Sequence, residues 1–525
     1  MTLTQWIVLV PALLLTPGLA WGQAGPQKVA IGPGGVPASA FSESLDLSDD
    51  GRFAVFVSFD SDLAPGEANN KEDAFVRDLL LGVTERVAPG ADQRVSSPAI
   101  SGDGRYIAFT SSSSTLVTTP VNESDQVFVF DRLTGATTLM SESLSSEGGD
   151  GDSDGASISN DGQWVTFYSY APDLIPGDNN MVADVFLRDT QSGFTERINL
   201  GPNGEICEQH SYTSAQTPDL RYVFFETRSN DIEAQPNNYR DIWRRDRVLQ
   251  TTEKVSPDWE GNSSNGRSEG PIDVSDDGRF VAFTSEADDL VPGQQDDPFP
   301  VRAVFVRDML LGTTELISVD PLQPGFPELG DCYAPSMTAD GRFVTFSCAD
   351  TGVVYLRDRE LGSLFRLDVS ALGVPGNGFG SEAVISDDGN LIGFTSQSSN
   401  LVSGDDNLSR DAFVRPWVRT GELQIDSLVA GTTATATVSG LAPSTFVLLG
   451  VSFQGAGPVP YALLGLTGLA DLASLDLFFT GTTDPSGTYQ LSATLGPGAS
   501  GLPIAVQALD LFTGAQTPAF NGLVQ

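Results

Sequence analysis

Apolar and polar positions alternate with a period of two through most of the chain, and the alternation is reset at regular intervals by a short turn. Seven times a segment of the form Ser/Thr-x-Asp-Gly, or a near variant, is followed by an apolar run. The fourth residue of that run is always Phe: Phe56, Phe109, Phe167, Phe225, Phe283, Phe346 and Phe394. Its second residue is Ala54, Ile107, Val165, Val223, Val281, Val344 or Ile392. In a strand these two columns share one face. The first column is also large, with Phe53, Tyr106, Trp164, Tyr222, Phe280, Phe343 and Leu391, so both faces are apolar. That is the pattern of a strand covered on both sides. The turns are Asp50-Gly51, Asp103-Gly104, Asp161-Gly162, Asp277-Gly278, Asp340-Gly341 and Asp388-Gly389, with a degenerate Asp219-Leu220 between the third and the next. Gly accepts a positive φ and Asp can cap the turn, which suits a tight hairpin.

The repeats fall 48 to 63 residues apart, counted from Asp to Asp. Each predicts four strands: one before the turn, one after it, a third centred on Phe75, Phe128, Phe186, Trp243, Phe305, Tyr355 or Phe413, and a fourth such as Glu196-Arg197-Ile198. Four antiparallel strands at this period predict the blades of a β-propeller. The seventh copy meets Pro416 without a clear fourth strand, while residues 27–35 match the fourth-strand signature of residues 196–204. The N-terminal segment is therefore expected to complete the last blade, leaving no open edge between first and last. The expected fold class is all-β: a seven-bladed propeller over 27–418, closed by an N-terminal strand, then a small β-sandwich.

The Ser-x-Asp-Gly-Arg turn, the apolar run and the Phe-Val-Arg-Asp third strand resemble the TolB-like, WD-repeat-like propeller repeats of exported bacterial proteins. The resemblance covers about residues 27–418 and implies a propeller. The α/β domain that precedes the propeller in TolB has no counterpart here.

Two flanking regions change the picture. Residues 1–24 carry no charged side chain and hold an apolar run from Trp6 to Leu15, so they are expected to be a signal peptide. The chain is then exported, periplasmic or extracellular. Residues 421–525 contain no Lys, Arg, His or Cys and only six carboxylates. Their alternating runs, such as Thr433 to Val438, predict a β-sandwich module resembling immunoglobulin-like domains.

Composition narrows the chemistry. With 69 acidic and 28 basic side chains the net charge is −41, which excludes a nucleic-acid backbone as partner. No stretch reaches the length of an unbroken membrane span, so no stable membrane insertion is expected. The single His210 leaves little imidazole chemistry; with Cys207, Glu205 and Glu208 it makes only a weak metal set. Gly-x-Ser-x-Gly occurs at 151–155 and 266–270, neither on a strand-to-helix turn as a nucleophile elbow requires.

Acidic loops between second and third strands make Asp178, Asn180, Asp184, Asp405, Asn407 and Asp411 candidate Ca²⁺ ligands. Asx turns explain the same residues. The pairs Arg77-Asp78, Arg188-Asp189, Arg307-Asp308 and Arg357-Asp358 repeat in register and are expected to be structural ion pairs or turn caps. Cys332 and Cys348 flank the Asp340-Gly341 hairpin almost symmetrically, so a disulfide is expected, with Cys207 free. The resulting expectation is a non-catalytic binding or scaffolding propeller that takes a protein or glycan at one mouth. A carbohydrate-active enzyme with paired carboxylates and a Ca²⁺-stabilised surface protein stay open as alternatives, and oligomeric state is not legible.

Overall fold

The computed structural model describes residues 25–417 apart from 66–70, 230–231, 233–236, 295–300, 320–328, 406 and 408. Of the residues beyond, it describes the backbone of nine strands. The chain forms two units, Gly25–Trp417 and a second that includes Val418–Gln525. Among the described residues no helix is long and apolar enough to cross a membrane.

Residues 25–417 form seven four-stranded antiparallel sheets. The first comprises Ser42–Leu47, Phe53–Ser58, Asp73–Asp78 and Val83–Arg86 in that order. The last comprises Gly380–Ile385, Leu391–Ser396 and Asp411–Pro416, completed by Gln27–Lys28. Gln27 pairs with Val414 and Lys28 with Phe413, antiparallel, and the Val29 N–H donates to the Ala412 carbonyl at 2.8 Å. The first strands of successive sheets adjoin around a circle, and that of the seventh adjoins that of the first. This is a seven-bladed β-propeller closed by its N-terminal strand.

Packing follows the columns of the sequence. The Phe of each second strand lies opposite the aromatic of the third, as Phe56 does opposite Phe75 and Phe394 opposite Phe413. Their centroids lie 5.8 and 5.6 Å apart, and all four rings are buried. Such pairs add to the burial that holds a blade together. The turns are built alike. Ser48 Oγ donates to Asp50 Oδ1 at 2.8 Å, and the Arg52 N–H donates to the same oxygen at 2.9 Å. Gly162 has φ 70°, and a Cβ there would collide with the Tyr106 ring of the preceding blade. The large first column thus packs under the next turn, and Gly meets both demands at once.

Blades are stitched by one recurring backbone bond. The first residue of each first strand, or the residue at its edge, donates to the carbonyl just before the previous blade's third strand. Examples are Ser153 to Asp125 (2.8 Å), Ser268 to Arg240 (2.7 Å) and, across the closure, Ser42 to Arg410 (2.8 Å).

The expected Arg-Asp neighbours do not pair with each other. Asp78 is instead held by Arg52 of the turn, at 2.7 Å, and caps the following turn by accepting from the Leu80 and Leu81 N–H groups. Arg77 donates to the Ile31 carbonyl at 3.0 Å. Cys332 and Cys348 face each other in register on adjacent strands of blade six and are joined, S–S 1.99 Å. Cys207 is buried and in no disulfide.

In the second unit, Glu422–Ile425, Thr433–Ser439 and Tyr489–Thr494 form one sheet. Leu477–Thr482, Phe446–Ser452, Pro503–Asp510 and Phe520–Leu523 form another. Ala456–Pro460 pairs with Leu469–Leu472. Residues 1–24, the expected signal peptide, lie outside the described residues.

Candidate functional site

The first strands line the channel, and an irregularity in each decides what faces it. The pairing of Ser42–Leu47 with Phe53–Ser58 shifts between Glu43 and Asp46, where Ser44 has φ 55°. A shift recurs in every blade, by one residue in six of them and by two in blade five between Glu269 and Asp273, with positive φ at Ser97, Gly155, Ala334 and Glu382. A bulge re-aims the side chains beside it. Two ends of the channel differ in consequence.

The end carrying the Asp-Gly turns encloses a cavity of about 190 Å³ lined by Asp46, Asp49, Asp273, Asp276, Asp387 and Asn160 among others, and no Lys, Arg or His. Asp46 and Asp273 work as staples between blades. Asp46 Oδ2 accepts from the Ile100 N–H at 3.0 Å, and Asp273 Oδ2 from the Met337 N–H at 2.7 Å. Burial nevertheless outweighs these bonds and pushes both carboxyls up to about 6. Asn160 Nδ2 donates to Asp49 Oδ2 at 2.7 Å, and Asp49 is hydrogen-bonded to Asp387. Burial, then the charge of Asp49, pushes Asp387 up to about 8. Asp387 therefore holds a proton more tightly than an ordinary carboxyl does.

The opposite end gathers aromatic rings. Tyr168 and Tyr170 close the second strand of blade three; His210 and Tyr212 open the first strand of blade four. Both pairs lie at strand ends far from the turns. Gly155 leaves the room that Tyr168 takes, since a Cβ would meet its ring at 2.8 Å. Tyr168 packs edge-on against Tyr212 at 5.2 Å, and His210 stacks on Tyr212 at 5.8 Å. The Tyr170 and Tyr212 hydroxyls lie 2.9 Å apart. Burial pushes the phenols of Tyr168 and Tyr212 up to about 12, so both remain proton donors. His210 Nδ1 accepts from the Ala183 N–H at 3.0 Å, which leaves the neutral ring's proton on Nε2. Arg240 lies over Tyr212, 5.2 Å from its centroid, and pairs with Glu226 at 2.8 Å. Tyr170 stays 40 % exposed. The cluster offers an open ring, hydroxyls and a guanidinium–carboxylate pair.

The residues expected to bind Ca²⁺ have other partners. Lys28 Nζ sits 2.9 Å from both Asp405 and Asp411. Arg197 Nη2 lies 2.6 Å from Asp178 and 3.1 Å from Asp184, and Asn180 Nδ2 donates to Asp184 at 2.9 Å. Asn407 Nδ2 donates to the Ala38 carbonyl at 3.3 Å. A cation from the fourth strand fills each acidic loop, and blades one and four repeat this with Arg86–Asp73 and Lys254–Asp241. Among the described residues no group of three or more His, Cys, Asp or Glu is arranged to hold a metal ion.

No protein-family model matches the sequence, and no curated protein matches it. Solved structures do resemble it. An Agrobacterium tumefaciens protein assigned as a TolB is 17 % identical, with TM-score 0.36, over 72 % of this chain and 91 % of its own. The oligogalacturonate lyase of Vibrio parahaemolyticus is 13 % identical, TM-score 0.45, over 75 % and 90 %. The β-propeller domain of Myceliophteria thermophila Cps50 (Swd1) is 12 % identical, TM-score 0.40, over 70 % and 95 %. Each likeness is remote and says nothing of what this chain binds.

Proposed function

We propose that the chain is an exported, non-catalytic binding or scaffolding propeller that takes a protein or glycan at the aromatic mouth. The observation that carries this is the half-open cluster of Tyr168, Tyr170, His210 and Tyr212 with Arg240. Exposed rings beside planar hydrogen-bonding groups suit sugars and peptide side chains alike. The other end of the channel fits a substrate poorly. Its cavity of about 190 Å³ lies below the roughly 300 Å³ at which ligand pockets begin. The C-terminal unit is proposed to be a β-sandwich used for spacing or attachment, and the acidic loops to be braced by a fourth-strand cation and free of Ca²⁺.

The test is a binding screen of the full chain against a glycan panel and envelope proteins, repeated with Tyr170→Ala. Loss of an identified ligand's affinity by about tenfold or more supports the reading. Binding untouched by Tyr170→Ala, or hydrolysis of any panel member, overturns it.

A further inference from the structure

The junction where the ring closes holds a feature that no other junction shares among the described residues. Asp387 of blade seven and Asp49 of blade one occupy equivalent places, each just before the Asp of its turn, and their carboxyls are hydrogen-bonded to each other. The other blades carry Gly102, Asn160, Pro218, Asp276 and Ala339 there. Beside the pair, the Asp388 N–H donates to the Asp49 carbonyl at 3.2 Å. Gly102 makes room for it, because a Cβ would collide with the Asp49 carboxyl. Among the described residues, the charges that act most on the pair are acidic: Asp46, Asp50 and Asp103 nearby, and Asp273 and Asp276 from blade five; no Lys, Arg or His lines the cavity. The one polar donor on Asp49 besides Asp387 is the neutral Asn160 amide. The far end of the same junction is tied separately. There the Ser44 N–H donates to Glu382 Oε2 at 2.8 Å, and Arg410 lies 3.2 Å from Glu43.

We propose that this junction is a proton-dependent latch: one proton shared by Asp387 and Asp49 holds the first and last blades together at the turn end, and its loss parts them there. Two carboxylates in contact repel strongly where no cation stands by.

The direction follows from linkage. Both groups hold their proton more tightly in the closed ring, at about 8 and about 6, than the ordinary 3.8. The stabilisation is complete below about pH 4 and fades as the pH rises through 6 and then 8. Asp46 and Asp273 act with the same sign in any variant of the pair, so a comparison of variants isolates the latch.

The experiment is thermal melting of the full, disulfide-intact chain from pH 6 to pH 9, with Asp387→Asn beside the parent. The amide keeps a donor toward Asp49 and has no proton to lose. The parent Tm is expected to fall by about 5 °C across this range, and that of Asp387→Asn by less than half as much. Parallel curves, or a parent curve that stays flat, overturn the proposal. Should Asp387→Asn not fold, Asp49→Asn makes the same comparison. Hydrogen exchange on the parent, corrected for intrinsic rates, gives an independent reading. Amides of residues 48–51 and 387–389 are expected to lose protection at pH 9 while those of 217–221 in blade four keep theirs; equal behaviour at both places overturns it.

Discussion

A single residue type carries much of the repeat. Gly162 sits at φ 70° with the Tyr106 ring against it, whereas Gly135 sits at φ 72° with nothing within 4 Å of where a Cβ would be. Gly135→Ala is expected to cost about 1 kcal/mol, the conformational part alone. Gly162→Ala should cost about 3 kcal/mol, because an aromatic ring must also move. Urea melts of the two variants measure the difference, and equal midpoints would show that the ring yields freely. The same contrast explains why the Asp-Gly turns repeat so faithfully. It also explains the exception, since the degenerate copy holds Leu220 at φ 57° and bears the strain.

At the scale of strands, the acidic loops show where sequence reasoning stops. Asp405 and Asp411 were visible as a cluster, and Lys28 as part of a fourth-strand signature. Nothing local joined them, because the pairing depends on the register of two strands 377 positions apart in the chain for Lys28 and Asp405. Lys28→Met is expected to destabilise the chain by roughly 3–5 kcal/mol, leaving two buried carboxylates without their cation. A chelator should leave the melting temperature of the parent unchanged; a fall on adding EDTA would mean that a metal ion shares the loops. The strand columns, the turn positions and the closing strand were legible because each is a periodic apolar signal. The channel was not, because a bulge moves side chains by one place without altering the apolar pattern. The aromatic mouth left a fainter trace in the i, i+2 spacing of Tyr168 with Tyr170 and of His210 with Tyr212, which neighbouring strand ends bring together.

At the scale of the whole molecule, closure rests on a very short strand. Removing residues 25–31 is expected to bare the edge of Asp411–Pro416 and to raise the oligomeric state above the parent's, read by size-exclusion chromatography with light scattering. An unchanged elution volume and melting temperature would show that the other seven-fold stitching suffices. The latch adds that the same junction responds to pH from its opposite end. The ring is thus uniform in its stitching and singular at one seam.

That seam also sets an order of events. Lys28 is made near the start of the propeller, yet its partners Asp405 and Asp411 are made near the propeller's end. Six sheets can form in turn while the first-made strand waits without a neighbour, so the ring becomes whole only after the seventh sheet is synthesised. A circular permutant that begins at residue 42 and carries residues 25–31 directly after residue 417 would abolish this wait, and should refold faster than the parent while closing the same circle.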